Sequence, residues 1–260
     1  MSLVTLDSTE QLSVANRAGF GWRRIGVAVV LAVAGLAGGC APGSQSVDVL
    51  LARGKLFSEQ GKHPEAIAAL TLAIQRSPAR QELYFERGRA HERAADLEAA
   101  ISDYTEAIRL KPNHFDSINN RAALSNRLGR FKEVVTDLTK AIELRPRDAV
   151  VLCYRGQALE ELDQADAAIS DYRRAIEVDP VSPRPWLLLG GLHLNAERAE
   201  EAEACFTRAI KLAPQNAQAW RDRAAARVAL GNTSGSQYDL GRAIEIDPEI
   251  EPLPGEEAAG

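Results

Sequence analysis

Arginine and aspartate recur sixteen residues apart in this chain, as Arg87 and Asp103, Arg121 and Asp137, Arg155 and Asp171, and Arg223 and Asp239. A guanidinium against a carboxylate can orient a reacting acid or clamp an anion, and it can equally tie two structural elements together. Four copies at one spacing favour the structural use, since catalysis needs such a pair once. Beyond the N-terminal region the cysteines are Cys153 and Cys205, which read as free, poorly reactive thiols. His91 and His193 occupy equivalent packing positions and His63 and His114 fall at loops, none with cysteine or carboxylate at metal-ligand spacing, so no metal is expected. There is no G-x-S-x-G, phosphate loop or glycine-rich dinucleotide fingerprint. No cofactor is therefore expected, and the chain reads as a non-enzyme.

The elements that hold these pairs repeat. From Ala149 to Pro180, apolar and small residues fall at steps of three and four, first through Leu152, Gly156 and Leu159, then through Ala168, Ile169, Tyr172, Ala175 and Ile176. That is the stripe of two short amphipathic helices. Pro180 ends the second, because proline has no amide hydrogen to continue the ladder. Prolines recur every 34 residues at Pro78, Pro112, Pro146, Pro180, Pro214 and Pro248. They divide the chain into six units: 47–80, 81–114, 115–148, 149–182, 183–216 and 217–250. Place eight is always small, place twenty-seven always alanine and place twenty-eight always isoleucine. In this frame the arginines stand at place seven and the aspartates at place twenty-three. The fifth unit replaces both, with Leu189 and Cys205, and the first keeps Arg53 but has Ala69. Helix pairs this short must stack on their neighbours to bury their apolar faces.

Period, small–large pattern and closing proline resemble the tetratricopeptide repeat family, with Trp186, Leu189 and Gly190 matching its opening pattern. The resemblance implies an all-α, right-handed superhelical solenoid of six helix-turn-helix repeats. It further implies a concave groove lined by places two, five, six, nine, twelve and thirteen of the first helices, where a protein or peptide partner binds. Those places hold Phe85 and Arg89 in the second unit, Asn119, Asn120 and Asn126 in the third, and Tyr154 and Gln157 in the fourth. The fifth contributes Arg184, Leu187, Leu188, Gly191 and Leu194, unusually apolar for a wetted face. Two readings of these leucines stand open: a pocket for a partner's apolar anchor, or burial by neighbouring repeats or by self-association. The family's chaperone-tail clamp requires lysine, asparagine and arginine across three successive units, and no three units here supply it.

The N-terminus has another character. Arg23 and Arg24 precede an uncharged stretch, Ile25 to Gly39, the layout of an export signal over residues 1–39. Fifteen helical residues reach only about 22 Å, short of a hydrocarbon core of about 30 Å. Leu36-Ala37-Gly38-Gly39-Cys40 resembles the lipobox of bacterial lipoproteins, although the commonest form has leucine where Ala37 stands. The resemblance implies acylation of Cys40, a membrane anchor and a tether over residues 40–46. Ala41, not being aspartate, implies the outer membrane, with the chain facing the periplasm. The alternative is an ordinary cleaved signal that leaves a free thiol.

Net charge is −5 at pH 7, so no basic surface invites nucleic acid. A hydrophobic fraction of 45% with 26% charged residues is that of a folded domain. Gly235, Ser236 and Gln237 make the last second helix polar, as a solenoid cap requires. Residues 251–260, rich in proline and glutamate, read as a disordered acidic tail. Together these features describe a lipid-tethered envelope adaptor, with a self-assembling structural protein as the alternative.

Overall fold

The computed structural model describes residues 45–251 and 253. The expected export signal, Cys40 and most of the tether and tail lie outside the described residues. Within the unit that spans Val47–Gly260, the described residues form twelve helices and no strand. They are α1 (Val47–Glu59), α2 (His63–Arg76), α3 (Gln81–Arg93), α4 (Leu97–Leu110), α5 (Phe115–Arg127) and α6 (Phe131–Leu144). They continue as α7 (Ala149–Glu160), α8 (Ala165–Val178), α9 (Arg184–Asn195), α10 (Ala199–Leu212), α11 (Ala217–Ala229) and α12 (Thr233–Ile246). Each odd helix packs antiparallel on the even helix that follows, and each even helix packs on the next odd one. The result is the all-α solenoid of six helix pairs.

Local chemistry sets where the helices stop. Every even helix ends on the residue before a repeat proline, at φ between −134° and −142°, from Ser77 to Asp247. The proline ring excludes helical geometry from the residue ahead of it, so the helix must stop there. Asp148 then accepts from the amides of Val150 and Val151 to open α7, and Asn216 accepts from that of Ala219 to open α11. Between the two helices of each unit, place fifteen is left-handed: Gly61, Ala95, Gly129, Asp163, Glu197 and Gly231, at φ from 58° to 73°. Three of the six are not glycine. Stacking of successive pairs therefore holds a conformation that costs an L-residue roughly 1–2 kcal/mol.

From the second unit on, packing within a unit rests on a size match between places eight and twenty-four, whereas in the first Gly54 faces Leu70. Gly88 faces Tyr104, Gly156 faces Tyr172 and Gly190 faces Phe206; a Cβ on any of these glycines would stand 2.4–2.9 Å from a ring carbon. Where the facing residue is Leu138, place eight is Ala122, which is buried. Missing methyls thus admit rings, and the rings are fully buried, each contributing about 1.5–3 kcal/mol. The place-twenty-eight isoleucines Ile74, Ile142 and Ile210 are buried. Ile244 is 54% exposed, because among the described residues no further helix pair packs over it.

Two features of the C-terminal end differ from expectation. Ser236 is not on an outer polar face: it fills the buried place that Ala168 and Ala202 fill elsewhere, 1% exposed, and its Oγ has no hydrogen-bond partner. The start of the tail also packs on the last unit. Arg221 Nε donates to the Glu251 carbonyl at 2.7 Å, and Leu253 is 6% exposed.

Candidate functional site: the first-helix face

The arginine–aspartate pairs span each unit. Arg87 donates to Asp103 through Nε and Nη2 at 2.8 and 2.7 Å, and Arg121–Asp137, Arg155–Asp171 and Arg223–Asp239 repeat the two-pronged geometry. The remaining arginine nitrogen reaches a partner absent from the sequence reading. Arg87 Nη1 donates to Thr71, Arg121 to Thr105, Arg155 to Thr139 and Arg223 to Thr207, at 2.9–3.1 Å. Each threonine lies on the even helix of the preceding unit, at place twenty-five. One guanidinium thus ties three helices of two successive units. Their three-way use, and their place between even helices, makes these arginines part of the frame and keeps them away from the odd-helix face.

On the odd-helix face, several side chains are engaged internally. Phe85 packs its ring 5.0 Å from that of His114 and 5.9 Å from that of Tyr104, with Arg89 above it. Arg89 donates to Glu86, and Lys55 donates to Glu82 at 2.7 Å. Asn120 donates to the Tyr104 hydroxyl, which donates to Glu92. Glu82, Glu86 and Arg89 of the second unit are therefore ion-paired within the chain, and Glu92 is hydrogen-bonded there. Tyr172 makes the matching bond to Glu160, whose pKa burial raises.

Units three to five remain available. The side-chain amides of Asn119 and Asn126 make no hydrogen bond among the described residues, and Tyr154 is 37% exposed. Arg184 lies 4.4 Å above the Tyr154 ring and donates to Gln157 Oε1 at 3.0 Å. This contact joins α9 to α7 and presents a flat cation–aromatic surface. At Gly191 nothing stands within 4 Å of where a Cβ would be, so the face is open there.

The fifth-unit leucines do not form an open pocket. Leu187 packs against Ala209, Ile210 and Ala219, and Leu194 against Phe206 and Ala226. Leu188 joins the clusters of the fourth unit. All three are half-buried seams between repeats, because superhelical stacking turns places five, six and twelve of this unit toward its neighbours. Cys153 and Cys205 are free, buried thiols whose pKa values burial pushes up to about 11. Neither is a nucleophile at neutral pH. Among the described residues no group of three or more His, Cys, Asp or Glu could hold a metal, and no helix is long and apolar enough to cross a membrane.

Asp222, at place six of the last unit, gives this face a measurable pH response. Burial raises its carboxyl from 3.8 to about 6, against the opposing effects of a hydrogen bond from Gln218 and of Arg221 at 3.7 Å. Between those values the folded chain keeps a proton that the unfolded chain releases, so this carboxyl removes stability as pH rises through the window. Asp222→Asn is expected to match the parent in thermal melts below pH 4 and to melt higher above pH 7. Equal melting temperatures at both would show that Asp222 titrates normally.

The tetratricopeptide repeat family is matched at residues 51–115 and 153–217 by one profile, and at 189–254 by a second. The chain belongs to the tetratricopeptide repeat family. Solved structures share the fold. A repeat protein from Parabacteroides merdae is 24% identical, with a TM-score of 0.68 over 80% of this chain and 82% of its own. MamA from Desulfovibrio magneticus is 20% identical, with a TM-score of 0.61 over 68% and 99%. YrrB, described as a tetratricopeptide repeat protein with an unusual peptide-binding site, is 20% identical, with a TM-score of 0.58 over 70% and 93%. Among curated proteins no sequence match was found.

Proposed function

We propose that this chain is a non-catalytic adaptor that holds an extended segment of a protein partner on its odd-helix face, across units three to five. The carrying observation is the open surface at Gly191, flanked by the Arg184–Tyr154 stack. Asn119, Asn126 and Gln157 supply donors and acceptors suited to a peptide backbone. YrrB's peptide-binding site is in keeping with this reading. The adaptor is tethered by acylation at Cys40 to the outer membrane and faces the periplasm, which follows from the lipobox resemblance alone.

Gly191→Trp tests the groove. The indole would enter open space, so the fold should persist while crosslinking pull-downs from cell envelopes lose the partner that the parent captures. Unchanged capture would remove the groove from the proposal. Cys40→Ser tests the anchor by fractionation, and unaltered membrane association would sink it. Self-assembly is the second reading, favoured by Tyr238 and Ile244, 61% and 54% exposed at the last helix. A sedimentation coefficient that climbs with concentration would support it, and a constant one would exclude it.

A further inference from the structure

Five junctions join the six units, and one departs from the others. At four of them threonine, arginine and aspartate occupy places twenty-five, seven and twenty-three across the junction and close it on the even-helix side. At the junction of units four and five all three are replaced, by Arg173, Leu189 and Cys205. The arginine has moved from the odd helix to the even one, and its carboxylate is gone. Leu189 and Cys205 join an apolar cluster with Ile169 and Tyr172.

A cleft of about 560 Å³ opens there, lined by Arg173, Arg174 and Arg198 together with Ile169, Asp166 and Glu177. Its volume is that of an ordinary ligand pocket, roughly 300–1,000 Å³. Among the described residues the side chains of Arg173 and Arg198 have neither a hydrogen bond nor an ion pair, and that of Arg174 uses one nitrogen, on the Pro146 carbonyl at 3.0 Å. Behind them His193 is 5% exposed with its Nδ1 unpartnered; burial, with Arg198 and Arg173 nearby, depresses its pKa against Glu201. The concentration of arginine is local, since the whole chain is acidic.

We infer that this cleft, on the opposite side of the repeats from the groove, is a second interaction surface that takes an acidic polypeptide segment through its side-chain carboxylates. Guanidinium forks match carboxylates two-pronged, the match these repeats already use internally. Asp166 and Glu177 favour single charges spaced along a chain, which can avoid them, over the concentrated charge of a phosphate. The surface stands independently of the groove.

Anisotropy of fluorescein-labelled hexaglutamate with the full chain in non-ionic detergent tests the inference. Arg173→Thr, which restores the residue of the other junctions, should weaken binding at least tenfold. Arg173→Thr with Arg198→Gln should abolish it and Arg173→Lys, which keeps the charge but loses the fork, should weaken it less than Arg173→Thr, whereas Gly191→Trp and Arg109→Gln, at an exposed arginine of α4 paired with Glu106, should bind as the parent does to within about threefold. Circular dichroism verifies that each variant is folded. Absence of binding by the parent, or binding within twofold by Arg173→Thr, would overturn the inference. Loss of binding in Gly191→Trp would move the peptide to the groove, and stronger competition by pyrophosphate than by unlabelled hexaglutamate would refute the carboxylate assignment.

Discussion

Asp239→Ala is expected to destabilise the chain by about 3–5 kcal/mol, the largest loss from a single polar change in this solenoid. Asp239 is wholly buried and answers two arginines. Arg223 grips it two-pronged and Arg227 donates to its Oδ2 at 2.8 Å while also holding Glu203. Removing the carboxylate leaves Arg223, whose side chain is 10% exposed, with Thr207 alone and no counter-charge, and takes from Arg227 one of three partners. A stranded buried cation costs far more than its pair contributed. The same change at Asp137 should cost less, because it answers only Arg121, whose side chain is 23% exposed. Urea titrations followed by circular dichroism measure both. A loss under 1 kcal/mol at Asp239 would mean that water replaces the carboxylate.

Gly190→Ala and Gly191→Ala, neighbours in one helix, should move stability in opposite directions. A methyl at Gly190 would stand 2.6 Å from Phe206 Cε1, and that ring is 1% exposed, with nowhere to retreat. Overpacking of this kind costs about 1–3 kcal/mol, more than the ~1 kcal/mol that alanine gains over glycine in a helix. At Gly191 the methyl meets nothing, so only the gain remains. Chemical denaturation of the two variants side by side is the measurement. The same sign for both would mean that α9 shifts to admit the extra methyl.

The repeat frame was legible because helix ends and close packing leave marks in residue type. A proline every 34 residues, one invariant alanine and one small place report backbone constraints that few residues satisfy. The left-handed turn at place fifteen left no such mark. Ala95, Asp163 and Glu197 adopt it without being glycine, held there by the packing of flanking helices. The arginine–aspartate spacing was visible, but Thr71, Thr105, Thr139 and Thr207 were not. A threonine on a polar helix face reads as surface until a neighbouring unit brings an arginine to it. The groove was legible only in part. Periodicity places Leu187, Leu188 and Leu194 on the odd helix, and the superhelix alone decides that they meet adjacent units. Likewise periodicity places Asn120 in the groove, whereas the Tyr104 hydroxyl, buried through Gly88, reaches it from the even helix.

The absent threonine–arginine–aspartate chain at the fourth junction also bears on mechanics. Directional bonds hold the angle between successive units, whereas apolar contact holds little beyond their separation. At this junction the odd-helix edge is pinned by Arg184 on Gln157, and the opposite edge meets through Leu189, Cys205 and Ile169. The pitch of the superhelix is thus clamped along one rim and compliant along the other, so bending concentrates between residues 182 and 183. Flexing between the four units before that point and the two after it is therefore expected to exceed flexing at the other junctions.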